Sequence, residues 1–522
     1  MSASPAKPPA SDLLRELAPH LPPALFERVS SRLVWAELRV QVLEEKLRLK
    51  RLQRYGPGSE KLSAAQLDLL ELEPGVSRDE VEAESGREPL PESPSRKGRK
   101  GKPHPGRQTL PAHLPRVERV MACAPEQGVC RGCGVEMPVI GFDESERLEV
   151  KPAEYFVAHT RREKRACPRC PERGVVAAPL APAIIEKGLV GDGIVINTLI
   201  AKYAEHQPLY RQSATLERET GLEISRATLD GWVMQVGESL VPLAAEMGRE
   251  LRGGNYLQVD ETPVPVQEPG RGRNHQAYLW QYGRPEAEVV FDFRMGRDRA
   301  GPRAWLADWN GILQTDGYAA YEGVGGPKLV HAGCWAHARR KFHDAVKLNP
   351  EDRAALSVLA RMGELFAIDA HAREQGLGAA ERHVQRAEQA PAVLAAIRAA
   401  VETARAGALP GNVLAQAANY TLAQWPKLIR FLEHPVLELS NNLAENSMRP
   451  IAVGRKNWIH VGSAAAGPRV AAILSVFESC RRLRLPLRPY LAAVLPGLRD
   501  VTLRRLAQLT PAAWAAKKTS AL

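Results

Sequence analysis

The alternation of apolar and polar positions changes period several times along this chain. In "LVWAELRVQVLEEKLRLKRL" (33–52), Leu33, Ala36, Val40, Leu43 and Leu47 recur at alternating three- and four-residue spacing, the seam of a coiled coil. Two readings stand for this N-terminal helical segment (11–70): an amphipathic helix packed on its own domain, or a short zipper pairing protomers. Residues 184–250 carry helical periodicity. Between 254 and 343 short alternating runs predict strands at 255–261, 276–282, 287–293, 311–315 and 327–333, with helices between them. Residues 344–438 return to an Ala-rich helical pattern, as in "AALSVLARMGELFAIDAHARE", and 439–497 hold a further helix before a tail at 498–522.

Composition changes this picture in a few places. A chain of 522 residues exceeds a single core and suggests about three or four domains. With 44% hydrophobic and 25% charged residues it has a globular balance, and no run of about 18 apolar residues predicts a membrane span. "MSASPAKPPASDLLREL" lacks a signal-peptide core, so a cytoplasmic location is expected. The net charge of +11 favours an acidic polymer as partner. The charge is also patterned. Eight acids face two arginines over 71–92, and six lysines and arginines follow among Pro, Gly and Ser over 93–108. Neither half can bury a core, so 71–109 reads as a disordered linker, either a spacer or a basic arm along phosphates.

Four of the seven cysteines form two C-x2-C pairs, Cys130 with Cys133 and Cys167 with Cys170, separated by 33 residues. Two such knuckles complete a tetrahedral thiolate site that zinc closes without an open position, which predicts a structural zinc-binding module over 110–180. Downstream, "PLYRQSATLERETGLEISRATLDGWVMQVGESL" (208–240) has the rhythm of a helix-turn-helix within 184–250. Gly221 suits a left-handed helix end and Ser225 an N-cap. Arg226 and Thr228 then fall at the exposed start of the second helix, where base edges are met, while Leu229 and Trp232 anchor it. Helix pairs that bind nothing share this rhythm; the neighbouring zinc module and basic linker favour DNA.

"GGNYLQVDETPVPV" (253–266) places Asp260 and Glu261 at a strand end, and Pro263 and Pro265 limit how the strand can continue. "GILQTDGYAAYEG" (311–323) is a second short strand ending in an aspartate, Asp316. "LSNNLAENSMRPIAVGRKNWIHVGS" (439–463) places Glu445 early in a helix that Asn441 or Asn442 could cap, with Arg449 four residues on and Arg455 and Lys456 beyond as a basic margin for phosphate. Three carboxylates from two strand ends and a helix can hold two magnesium ions. Glu261 points away from Asp260 by strand alternation. The order of strands and helices is that of a ribonuclease H-like domain, in which the first and fourth strands are neighbours.

Together with "YGPGSEKL", "KYAEHQPLYRQ", "SRATLDGWV", "VDETPV", "TDGYAAY" and "GCWAHARRKF", these stretches resemble the DDE transposases of the bacterial insertion-sequence 66 family, in family order over most of the chain. The resemblance implies a multidomain α+β protein. In it a zinc-binding module and a helix-turn-helix precede a ribonuclease H-like α/β catalytic core (254–343 and 439–497), interrupted by an all-α insertion at 344–438. It implies Asp260, Asp316 and Glu445 as the catalytic triad and ligands of Mg2+ or Mn2+. Cys334 and His337 of "CWAH" are expected in the active-site wall. The implied activity is cleavage and strand transfer at the terminal inverted repeats of an insertion sequence. Its implied setting is the bacterial cytoplasm at the nucleoid, with double-stranded DNA as partner, a homodimer or larger assembly, and accessory proteins of the same element. A non-catalytic zinc and helix-turn-helix DNA-binding protein derived from a transposase is the alternative.

Overall fold

The computed structural model describes residues 188–519 except 269, 271 and 459, and before them 14, 18–23, 25–30, 32–33, 155–160, 164–166, 175–177, 179 and 181–186. The heptad stretch beyond Leu33, the linker and Cys130, Cys133, Cys167 and Cys170 lie outside the described residues. The chain divides into two compact units, 1–91 with 162–522, and 92–161; the first holds everything that follows. A two-stranded antiparallel ladder, Lys164–Ala166 with Val175–Ala177, brackets the second cysteine pair in sequence.

After this ladder come three helices: α1 (Asp192–Tyr203), α2 (Leu209–Thr220) and α3 (Arg226–Arg252). Helix α2 ends on Gly221 in the left-handed region (φ +71°), and Ser225 caps α3 by accepting from the Thr228 amide. Both ends match the expected turn chemistry. Leu229 and Trp232 are buried, anchoring α3 beneath its exposed first turn.

A five-stranded sheet follows, built from β1 (Tyr256–Val266), β2 (His275–Gly283), β3 (Val289–Arg294), β4 (Ile312–Gln314) and β5 (Val330–Ala332), with α4 (Ala300–Leu306) between β3 and β4. Its spatial order is β3–β2–β1–β4–β5. The first three strands form an antiparallel meander, and β4 and β5 run parallel to β1. Strand β1 continues through both prolines, five residues beyond the expected end at 261. The reason lies in the direction of its polar groups. The Pro263 and Pro265 carbonyls face away from β2, toward Arg455 and the Val461 amide. Their missing N–H groups therefore fall on an edge where β4 no longer pairs, and no ladder bond with β2 is lost.

Helices α5 (Trp335–Leu348), α6 (Arg353–Glu374), α7 (Ala379–Gly407) and α8 (Val413–Leu428) follow, then α9 (Asn442–Trp458), α10 (Gly467–Arg482) and α11 (Leu487–Val494). The α5–α8 bundle shares one apolar core with the sheet: Tyr256, Ile312 and Ala332 pack with Trp335, Phe342, Met362, Ile397 and Trp425. On the other side α10 covers the edge strand β3. Ser475 Oγ accepts from the Phe291 amide at 2.8 Å, and Ser479 Oγ both accepts from the Val289 amide and donates to its carbonyl. These bonds satisfy backbone groups that an open edge would expose.

The expected tail is folded. Short helices α12 (Leu503–Leu506) and α13 (Pro511–Thr519) close the chain, and Trp514 packs edge-on against Tyr490. The Glu288 carboxyl accepts from the Ala512 amide at 2.7 Å, and burial raises its pKa from 4.5 to about 7. Between these values the folded chain holds a proton that the unfolded chain has released, so this contribution to stability falls as pH rises and is gone above pH 7. Glu288→Gln keeps the acceptor without the charge. It is expected to stabilise the protein at pH 8 by about 2–3 kcal/mol and to change little at pH 4, read by urea unfolding at the two pH values.

Candidate active site

Parallel pairing of β1 with β4 matches Tyr256 with Ile312, Leu257 with Leu313 and Gln258 with Gln314. Asp260 and Asp316 each stand two residues beyond the last matched pair; Asp316 follows the end of β4, whereas Asp260, expected at a strand end, lies within β1 just past the stretch that pairs with β4. The Asp260 carboxylate accepts from the Glu261 amide at 2.8 Å. Its pKa is raised well above the ordinary carboxylate range by burial first, then by Glu445, Glu261 and Asp316, with the amide bond opposing. Glu261 takes the opposite direction, as strand alternation requires. It accepts two hydrogen bonds from Arg297, at 2.9 and 2.6 Å, and one from the Tyr321 hydroxyl.

Asp316 starts a turn. Its Oδ1 accepts from the Tyr318 amide at 2.8 Å, Thr315 Oγ1 accepts from the Gly317 amide, and the Tyr420 hydroxyl donates to the Asp316 carbonyl. Gly317 has φ +85°, and a Cβ there would lie 2.9 Å from the Gln424 side chain, so glycine is the residue that fits.

Glu445 arrives from 129 positions further on, in the first turn of α9. A buried polar network holds the segment that leads to it. Tyr256 OH donates to Gln314 Oε1 at 2.6 Å, Gln258 Nε2 donates to the Ser440 carbonyl at 2.9 Å, and Gln314 Nε2 donates to the Glu438 carbonyl at 2.8 Å. The Trp335 amide donates to the Leu439 carbonyl, and Cys334 Sγ accepts from the Asn441 amide. Asn441 does not cap α9 with its side chain: Nδ2 donates to the Val259 carbonyl at 3.3 Å and Oδ1 is buried without a partner. Asn442 Oδ1 is likewise buried and unpartnered, so it caps nothing either.

Two groups from α5 meet the Glu445 carboxylate. Arg340 donates to Oε2 at 2.7 Å, and His337 Nε2 lies 3.2 Å from Oε1, which is buried and forms no hydrogen bond. Burial lowers the His337 pKa, against the pull of Glu445. Cys334 is buried directly before α5. Both residues of the "CWAH" motif thus stand where the helix meets the acidic cluster.

The cationic residues divide. Arg226 and Thr228 are exposed at the start of α3, and Lys456 is exposed on α9, where Arg449 is half-buried. Arg455 is turned inward. Its guanidinium donates to Thr262 Oγ1 at 3.1 Å and to the Pro263 carbonyl, and burial lowers its pKa. It braces β1 rather than forming a free basic margin.

Arg340, Gln258 and Gln314 went unnoticed in the sequence. A signal for the glutamines was present: "LQVD" (257–260) and "LQTD" (313–316) repeat one pattern, a polar residue inside an apolar strand two positions before each aspartate.

Asp260, Asp316 and Glu445 are oxygen donors of the kind that suit a hard divalent cation, and the buried Oε1 of Glu445, which accepts no hydrogen bond although His337 Nε2 stands 3.2 Å away, fits that use. Among the described residues, however, no three His, Cys, Asp or Glu side chains converge closely enough to hold an ion as they stand.

Fold and site together define a mixed α/β protein with a carboxylate-centred site just past the paired stretch of two adjacent parallel strands. The chain belongs to the IS66 transposase family, whose model "Transposase IS66 family" matches residues 187–469. The zinc-finger binding domain of transposase IS66 matches 127–171, a span that includes both cysteine pairs and supports structural zinc. The "Transposase C of IS166 homeodomain" model matches 42–119. Three similar proteins come from Sinorhizobium fredii (strain NBRC 101917 / NGR234). Uncharacterized protein y4qI is 34% identical over 83% of this chain and 81% of its own length. Uncharacterized protein y4jD is 32% identical over 78% and 82%, and Uncharacterized protein y4hP is 31% identical over 94% and 90%. No described helix is long and apolar enough to cross a membrane.

Proposed function

We propose that the chain is a DDE-type DNA transposase with a ribonuclease H-like catalytic core, acting at the terminal inverted repeats of its own element by phosphodiester cleavage and strand transfer. The observation that carries this is the matched register of Asp260 and Asp316 on adjacent parallel strands, with Glu445 near enough to contribute to the raised pKa of Asp260. The strand order, an antiparallel meander followed by two strands parallel to the first, supports the fold assignment.

Asp260, Asp316 and Glu445 would hold two Mg2+ or Mn2+ ions. When bound, such ions activate the attacking hydroxyl and stabilise the leaving oxygen in an in-line displacement. The protein's own part is orientation. The two glutamines tie the Glu445 segment to the aspartate strands, the Asp316 turn fixes its carboxylate, and His337 and Arg340 flank Glu445. Cys130, Cys133, Cys167 and Cys170 would hold the structural zinc. Arg226 and Thr228 would meet base edges, and Arg449 and Lys456 would contact phosphates. Joining two DNA ends calls for at least a dimer, and accessory proteins of the element would assist.

The test is a cleavage and joining assay with purified full-length protein, labelled element ends and Mg2+ or Mn2+. Metal-dependent strand transfer is expected. Hydrolysis without joining would leave a nuclease, and end binding with no chemistry would leave a DNA-binding relative of a transposase.

A further inference from the structure

The Arg339–Arg340–Lys341 run on α5 is divided by packing. Arg339 sits 5.8 Å from the Phe366 ring centroid and Lys341 4.4 Å from that of Tyr420. Arg340 is instead turned onto the Glu445 carboxylate at 2.7 Å, with its side chain 32% exposed against 12% for Glu445. A guanidinium of the protein itself thus faces Glu445 Oε2.

We propose that Arg340 is a positioning residue that acts as a resident counter-ion. It holds Glu445 away from metal-binding geometry until a DNA phosphodiester takes its place as the guanidinium's partner, so that metal loading and DNA docking are coupled. This rests on the reading of Asp260, Asp316 and Glu445 as metal ligands. Three observations support it. Oε2 of Glu445 is already occupied by a charge-assisted bond. No three ligating side chains converge on a common point among the described residues. Arg340 is exposed enough to be reached, and guanidinium pairs bidentately with phosphate as readily as with carboxylate. Coupling of this kind is reciprocal: whatever DNA does for metal affinity, metal does for DNA affinity.

The test measures Mn2+ binding to the full chain by electron paramagnetic resonance, with and without a short duplex at low ionic strength. Arg340→Ala is expected to bind Mn2+ about tenfold more tightly than wild type without DNA, since a charged hydrogen bond no longer competes. The duplex should raise the wild-type affinity and leave that of the variant nearly unchanged. Arg340→Lys, which keeps the charge and guards against misfolding of the alanine variant, should fall between the two. Unchanged or weaker Mn2+ binding by Arg340→Ala would overturn the counter-ion role. An equal response to DNA in both proteins would overturn the coupling. Glu445→Gln separates the two levels. If it leaves wild-type Mn2+ binding intact, the metal-ligand reading itself fails. If it weakens binding while Arg340→Ala has no effect, only the role of Arg340 fails.

Discussion

Asp260→Asn is expected to melt at a higher temperature than the wild type in metal-free buffer at pH 8, while cleaving DNA at least about 1,000-fold more slowly. Both effects have one cause. Folding buries the Asp260 carboxyl among Glu445, Glu261 and Asp316, and its pKa rises well above the ordinary 3.8. A group whose folded pKa is raised stabilises the protein below its unfolded value and loses that stability as pH climbs through the folded value. At pH 8 folding must either bury that charge or take up a proton, and asparagine relieves either cost with nearly the same shape. Near pH 3 the two proteins should melt alike. The same charge is what would attract a divalent ion, so the asparagine variant gives up chemistry for stability. Thermal melts at the two pH values, run beside the cleavage assay, check the pair. An asparagine variant that melts lower at pH 8 would show that the carboxylate is a structural partner instead.

The second large effect lies away from the carboxylates. Arg386 and Asp369 form a bidentate ion pair at 2.6 Å in each arm, both nearly removed from solvent, and Arg386 also donates to the Leu437 carbonyl at 2.7 Å. Arg373 and Arg382 meet Glu438 alongside. Arg386→Ala leaves the buried Asp369 carboxylate with Arg373 alone, 4.0 Å away and already bonded to Glu438, and the expected loss is about 3–5 kcal/mol in urea unfolding. By contrast, an exposed pair such as Arg361–Glu364 contributes about 0.5 kcal/mol or less. Arg386→Met combined with Asp369→Leu should recover most of the loss, because an apolar pair leaves no charge unpaired. Recovery of activity should lag behind recovery of stability. The lost guanidinium also held residue 437, and the chain runs from there through 438–441 into the Glu445 helix. If the double variant regained full cleavage, the network would be a matter of stability alone.

Much of the fold was legible because its signals are local. Gly221 and Ser225 punctuate the helix pair by their own backbone chemistry, and the strands of the sheet announce themselves by alternation. Most bounds fall within one or two residues of those observed; the exceptions are the end of β1, five residues further on, and the start of β5, three residues later than expected. The two aspartates were visible as acids after short apolar runs, although only Asp316 ends its strand and Asp260 lies within β1. What stayed hidden was set by partners distant in sequence. The run of β1 through its prolines depends on which edge β2 occupies. The use of Asn441 on the Val259 carbonyl depends on α9 crossing β1. Arg455 looked like a surface cation of the last helical turn, and only its approach to Thr262, 193 residues away, turns it inward. Arg340 sat unremarked in a basic run, because nothing local separates it from Arg339 and Lys341.

The apolar core that joins β1, β4 and β5 to the α5–α8 bundle also constrains how such a chain can be shortened or passed from one architecture to another. Deleting the residues between Asn349 and Val436 would expose the underside of the strands that carry both aspartates, and would leave Trp335 without the tryptophan it packs against, Trp425. The bundle therefore behaves as a foundation, inherited or lost together with the sheet, and not as an ornament that a minimal version could discard.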